Sequence, residues 1–369
     1  MNQGYGTAKI VLLVNFKLRP PWSDGIKVFT KGLFDSIVSA VGSANVTINS
    51  LDTITEKDDY DYAHIVTVDK YRAAPRLLLN IGKALKHTIL FKHIVTPANK
   101  VSTAVNTNLF YKTVDVLYGS KLVKCFSSEY TAHSYHMQNK FIIPPPIDTE
   151  YFRAHQEDWD KLFSILRATD TKRWVNNIKN SDGGLLLYSG PLSEDRFPYK
   201  YVLDAVKHAK CQILVVGRFW RQLNNGDTSY VNDTVNYARE IGIENKVSIV
   251  ARTLSEDEKI TLMNCADAII QPFDNKLKKI AVDPPIFMLE SMACGKPVIT
   301  SKVNSFKSVI RSGYNGYTVD WSEPEQINGA FSDCLNNSSI GTNARNTILQ
   351  DFSINAVAKK LRGMYDEFS

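Results

Sequence analysis

The 369 residues are 44% hydrophobic and 22% charged, the balance of a folded globular protein and not of a disordered or collagen-like chain. No apolar stretch approaches the ~20 residues a membrane-spanning helix needs, and the opening MNQGYGTAKIVLLVN lacks the basic region and cleavage site of a signal peptide. Five scattered cysteines, at 125, 211, 265, 294 and 334, form no CxxC pair; this speaks against a disulfide framework or a zinc site and predicts a reducing, cytoplasmic setting.

Short apolar runs alternate with longer amphipathic stretches, which predicts βαβ units built on parallel sheets. AKIVLLVN (8–15) reads as a buried first strand, and the loop 16–25 leads into a helix over 26–41. Further strands are predicted at 63–69, 87–93, 123–127 and 140–146. The charged stretch 147–182 has no strand character and is expected to hold a linker. Strands resume at 183–190, 211–217, 246–251, 267–273, 296–301 and 317–321, and a helix closes the chain over 354–368. Two doubly wound α/β domains follow, with ligands expected where the strands' carboxyl ends face a cleft.

The net charge of +6 is unevenly spread, with ten Lys or Arg against one acid between Lys70 and Lys124. Within that region 71–86 reads as a basic amphipathic helix, suited either to an anionic lipid surface or to lying on the core by its apolar side. Nucleic acid is not expected, because aromatic residues do not interleave with the basic ones as stacking platforms.

The segment DPPIFMLESMACGKPVIT (283–300) carries the most chemistry. Asp283 suits an N-cap, followed by two prolines at positions where a helix needs no donor. Gly295 is expected to end the helix in the left-handed conformation, and Pro297 to bar its resumption before a strand at Val298 and Ile299. The first amides of such a helix, near Pro285, Ile286, Phe287 and Met288, suit a phosphate or diphosphate. The spacing of Asp283 and Glu290 would place both carboxylates on one helical face. Glu290 stands among Met288, Leu289, Met292 and Ala293, so burial would require a partner for it.

These residues resemble the retaining glycosyltransferases of family 4, which have the GT-B fold. The resemblance rests on LLLYSGPLSEDRFPYKYVLDAV, ILVVG, VSIVARTLSEDEKITLMNCADAIIQPF, DPPIFMLESMACGKPVITS and SGYNGYTVD, with KFIIPPPIDTEYF like the family's junction between domains. It implies a Rossmann-like acceptor domain over 1–178 and a Rossmann-like donor domain over 179–351, with a helix at 352–369 returning to the first. It also implies transfer of a sugar from a UDP or GDP sugar to a glycan, lipid-linked or protein acceptor. Configuration would be retained, with no metal or cofactor required, and the enzyme would be cytoplasmic or peripheral at a membrane.

Carried over residue by residue, the resemblance gives Glu290 the donor ribose. The family's first acid falls on Val282, so Asp283 could take its place only with a shortened loop. Arg196, with Lys200 as fallback, would clamp the diphosphate, since the place after Gly190 is Pro191 where the family has a basic residue. Gly217, Arg218 and Arg252 are further donor-side candidates, and Gly25 stands for the family's glycine loop after strand one. His93 is the strand-end histidine expected near the transferred sugar, with His64 its competitor. A nucleotide-sugar epimerase of the same fold and a non-catalytic sugar-nucleotide-binding module remain as alternatives.

Overall fold

The computed structural model describes residues 8–20, 25–51, 53–54, 59–67, 88–95, 122–135, 141–166, 183–218, 229–274 and 283–369. The chain divides into two compact units: Met1–Ile147 with Lys279–Asp283 and Asp351–Ser369, and Asp148–Lys278 with Pro284–Gln350. The first boundary therefore falls at Ile147, well before residue 178. Residues 148–166 go with the second unit because their short helix buries Leu162, Ile165 and Leu166 there. The basic segment 71–86 lies outside the described residues, which include only Lys92 and Lys124 of that region's ten cations.

In the first unit, β1 (Ile10–Val14), β2 (Val46–Ser50), β3 (Tyr62–Val66), β4 (Ile89–Ile94), β5 (Leu122–Phe126) and β6 (Phe141–Ile142) form one parallel sheet in the order β2-β1-β3-β4-β5-β6. All five residues of IVLLV are buried, as befits a central strand covered on both faces. Alternation then sorts the side chains. Ile10, Leu12, Val14, Tyr62 and Phe91 face one core, while Val11, Leu13, Ala63, Ile65 and Leu90 face the other. Helix α1 (Gly25–Val41) contributes Phe29, Leu33, Ile37 and Val41 to the first of these cores, at the four-residue spacing of one helical face. A one-and-a-half-turn helix, α2 (Glu129–Ser134), follows β5 and is capped by Ser128, whose hydroxyl accepts from the Thr131 amide at 3.0 Å.

The second unit opens with α3 (Trp159–Leu166). Its sheet comprises β7 (Gly184–Pro191), β8 (Cys211–Arg218), β9 (Val247–Val250), β10 (Ala268–Gln271), β11 (Val298–Ser301) and β12 (Gly316–Val319). All are parallel, in the order β12-β11-β10-β7-β8-β9, so the winding reverses between β7 and β10. In open α/β sheets that reversal is where ligands bind, outside the strands' carboxyl ends. Helices α4 (Tyr199–His208), α5 (Ser229–Glu240), α6 (Glu256–Cys265), α7 (Ile286–Ala293), α8 (Pro324–Asn336) and α9 (Ser338–Asp351) accompany the sheet. The last helix, α10 (Ile354–Asp366), belongs to the first unit, burying Val357, Leu361, Met364 and Tyr365 in the core shared with α1. Among the described residues no helix is long and apolar enough to cross a membrane.

Candidate functional site

The loop after β7 and the segment after β10 meet at the second sheet's reversal. Leu192 to Phe197 follow β7, and the Arg196 and Phe197 amides both donate to the Ser193 carbonyl, at 3.1 and 2.8 Å, folding the loop into a turn. That turn sets the Arg196 guanidinium 5.0 Å from the centroid of the Phe273 ring, just past β10. Its Nε stands 3.7 Å from Asp195, and the Asp274 amide donates to the Asp195 carbonyl at 3.3 Å, tying the two segments together. Burial pulls the Arg196 pKa down, opposed by Asp195, yet an arginine keeps its charge at any physiological pH. Lys200 is exposed on the first turn of α4, its Nζ 5.9 Å from the Tyr237 ring centroid.

Gly190 and Gly217 are register partners on β7 and β8. A Cβ on Gly217 would fall 2.1 Å from the Gly190 carbonyl oxygen, and one on Gly190 would fall 2.7 Å from the Tyr188 hydroxyl. Tyr188 in turn donates to the Pro191 carbonyl at 2.6 Å. Packing alone therefore accounts for both glycines. Arg218 pairs in register with Pro191 at the end of β8.

Helix α7 departs from the sequence expectation at its start. Its N-cap is Pro285, and no side chain caps it. The Pro285 carbonyl takes the Met288 amide at 3.0 Å, while helix geometry gives the Ile286 and Phe287 amides no intrahelical acceptor. Asp283 lies in the first unit, not on the helix, so it shares no helical face with Glu290. Its carboxylate accepts from the hydroxyls of Ser127, of Ser128 at 2.7 Å and of Thr131 at 2.8 Å. A nearby hydroxyl cluster has won over the local capping role. Burial raises the Asp283 pKa and the three hydroxyls oppose that rise. At the other end Gly295 adopts φ 77° and Lys296 donates back to the Ser291 carbonyl, the expected left-handed termination.

Glu290 is 1% exposed, and it has the partner its apolar setting demanded: Lys259 Nζ on α6, 3.5 Å from each carboxylate oxygen. Burial raises the Glu290 pKa and the ammonium counters it. Lys259 also lies 5.7 Å from the centroid of Phe152. Sequence inspection missed Lys259, although the Ser255–Glu258 capping box marks the helix start just before it.

Arg252 is engaged by partners on two helices and its own loop. Its guanidinium grips Glu258 at 2.7 and 2.9 Å and donates to the Thr253 and Ile165 carbonyls. Those bonds hold the Glu258 carboxyl down at about 2. Gly25 is the first residue of α1, in the first unit. His93 lies near the carboxyl end of β4, 3% exposed, its Nε2 2.8 Å from His64 Nδ1. The structure thus joins the two histidines that the sequence set in competition.

Residues 170–348 match the family Glycosyl transferases group 1. Among curated proteins, the alpha-1,3/1,6-mannosyltransferase ALG2 of Dictyostelium discoideum is 22% identical over 274 residues, 73% of this chain and 56% of that protein. The D-inositol 3-phosphate glycosyltransferase of Mycolicibacterium vanbaalenii is 27% identical over 111 residues, 30% of this chain and 23% of that protein. The matched part of the chain thus spans about half of the first relative and about a quarter of the second. Among solved structures, Anabaena HepE in complex with UDP superposes with a TM-score of 0.69 at 13% identity, covering 97% of this chain and 100% of that one. Sucrose-phosphate synthase from Thermosynechococcus elongatus gives 0.67 at 12%, covering 98% and 99%.

Proposed function

On the premise of a GT-B fold whose second unit matches the group 1 glycosyl transferases, we propose that this chain moves a sugar from a nucleotide-diphosphate sugar to a glycan or lipid-linked acceptor, with retention of configuration. The observation that carries the reading is Glu290, a buried carboxylate on a proline-led helix whose first amides lack intrahelical partners. Glu290 would accept the ribose hydroxyls, and the Ile286 and Phe287 amides would face the diphosphate. Arg196 would neutralise charge on the leaving diphosphate, the kind of preorganised electrostatics that lowers such barriers, with Lys200 as the fallback for that role. His93 is assigned the transferred sugar. The leaving phosphate itself would assist attack by the acceptor from the same face. HepE has been solved with UDP-glucose, which supports a uridine donor as the first to try.

The test is titration calorimetry with UDP and GDP, then turnover with UDP-glucose and GDP-mannose, on wild type and Glu290→Gln. The variant keeps the shape and loses the charge. It is expected to fold, to bind the nucleoside diphosphate roughly tenfold more weakly and to lose at least as much in kcat/KM, about 1.4 kcal/mol or more. Undiminished binding and turnover by Glu290→Gln would remove the ribose role. Consumption of the nucleotide sugar with no acceptor present, returning an epimer, would replace transfer with epimerisation.

A further inference from the structure

Tyr365, His64 and His93 form a continuous hydrogen-bonded line inside the first unit. His64 Nε2 is 2.8 Å from the Tyr365 hydroxyl, and His64 Nδ1 is 2.8 Å from His93 Nε2. They come from α10, β3 and β4, and 301 residues separate His64 from Tyr365. Each ring is held on several sides. Tyr365 stacks on Tyr62 at 4.8 Å, His64 stacks on Phe91 at 4.9 Å, and Phe29 lies 5.9 Å from His93. Both imidazoles are buried and burial keeps them neutral, His64 down to about 3 and His93 well below its ordinary value.

Two neutral imidazoles and a phenol carry one movable proton each, so the line has two self-consistent settings. Either the phenol donates into His64 Nε2, or His64 Nε2–H donates to the phenol oxygen. A phenol is the stronger acid of the two donors and an imidazole nitrogen the stronger base of the two acceptors, which favours the first setting. His64 then carries its proton on Nδ1 and donates to His93 Nε2. With Nε2 occupied as an acceptor, His93 must carry its own proton on Nδ1. Among the described residues that Nδ1 has no hydrogen-bond partner, and the residue sits near the carboxyl end of its strand.

We propose that Tyr365 is a positioning residue which, through His64, holds His93 as a neutral donor presenting Nδ1–H to the substrate. The inference rests on the assignment of His93 to the transferred sugar. It adds that His93 donates a hydrogen bond there and takes no proton, and that the closing helix of the chain sets this polarity.

The test is imidazole ¹⁵N spectroscopy of the full-length protein at neutral pH, with His64→Gln and His93→Gln to assign the signals. The expected spectrum has both histidines protonated on Nδ1. A proton on Nε2 of His93 in wild type would overturn the proposal, whatever any variant does. Tyr365→Phe keeps the ring and its packing; it is expected to move the His64 proton to Nε2. It should lower kcat roughly tenfold, the scale of a lost orienting partner behind a functional histidine, with donor KM within twofold. Tautomers unchanged in Tyr365→Phe would also overturn it. Should Tyr365→Phe fail to fold, the wild-type spectrum decides alone. Nδ1 protonation together with full turnover by His93→Gln would leave the relay standing and remove His93 from the reaction; Nε2 protonation with turnover lost in His93→Gln would do the reverse.

Discussion

Lys259 is the residue on which the second unit's site depends most directly. Its ammonium is the counter-charge to a carboxylate that is 1% exposed, and it is itself only 13% exposed at the side chain. Removing one partner of such a pair strands the other charge, at a cost of about 3–5 kcal/mol, whereas removing both with apolar groups of similar size is often close to neutral. Lys259→Met is therefore expected to lower unfolding free energy by about 3 kcal/mol in urea titration. The double variant with Glu290→Leu should recover most of that loss. Simple addition of the two single effects would show that the two side chains do not interact. The contrast with Arg252 is instructive. That cation holds its carboxylate partner Glu258 more closely, at 2.7 and 2.9 Å, but the pair is half-exposed and ties the first turn of α6 to the Ile165 carbonyl of α3.

At the scale of elements, the close approach of β7 and β8 decides what the ladder tolerates. A methyl on Gly217 would meet a backbone carbonyl at 2.1 Å and Leu192 Cγ at 2.8 Å, and the carbonyl cannot yield without breaking the sheet. Gly217→Ala should cost roughly 2–3 kcal/mol of stability by overpacking. Gly329→Ala, inside α8 with nothing within 4 Å of the added methyl, should gain up to about 1 kcal/mol from helix propensity. Thermal unfolding of the two variants reads both signs, and a neutral Gly217→Ala would show that the strands can part. The strands themselves were largely legible in the sequence, because parallel strands buried on both faces read as unbroken apolar runs such as IVLLV. The missed strand, β2, is VTINS, an edge strand with one residue buried, and it leaves no such run. The same logic divides the site. Glu290 stood out because an apolar neighbourhood demands a partner, but nothing local says that the partner is Lys259, 31 residues away. Asp283 was misread because D-P-P obeys capping grammar, while the hydroxyls that claim it lie more than 150 residues earlier.

At the scale of the whole chain, buried histidines weigh most in the first unit and buried carboxylates in the second, and acid should therefore act on them in opposite directions. The first unit holds His64 and His93 neutral, with folded pKa values far below the ordinary 6.5. As pH falls below 6.5 the unfolded chain takes up those protons and the folded unit does not, so stability falls, with a limiting slope of about 1.4 kcal/mol per pH unit for each histidine. Asp283, whose folded pKa is raised above 3.8, offsets part of this by binding its proton earlier when folded. The second unit buries Glu290 and Asp267, both with raised folded pKa values. There the folded state binds protons before the unfolded one does, so stability rises as pH falls toward 4.5, the ordinary value for Glu290. Below that value Glu258, held down at about 2 by Arg252, begins to count against the second unit. The informative window is thus pH 6.5 to 4.5. Hydrogen exchange, corrected for the intrinsic rate, should show protection in β3 and β4 declining across it while protection in β10 and β11 holds or grows. His64→Phe should flatten the first slope by about half. If all four strands lost protection together with a common slope, the histidines would not be the source of acid sensitivity and the two units would be unfolding as one.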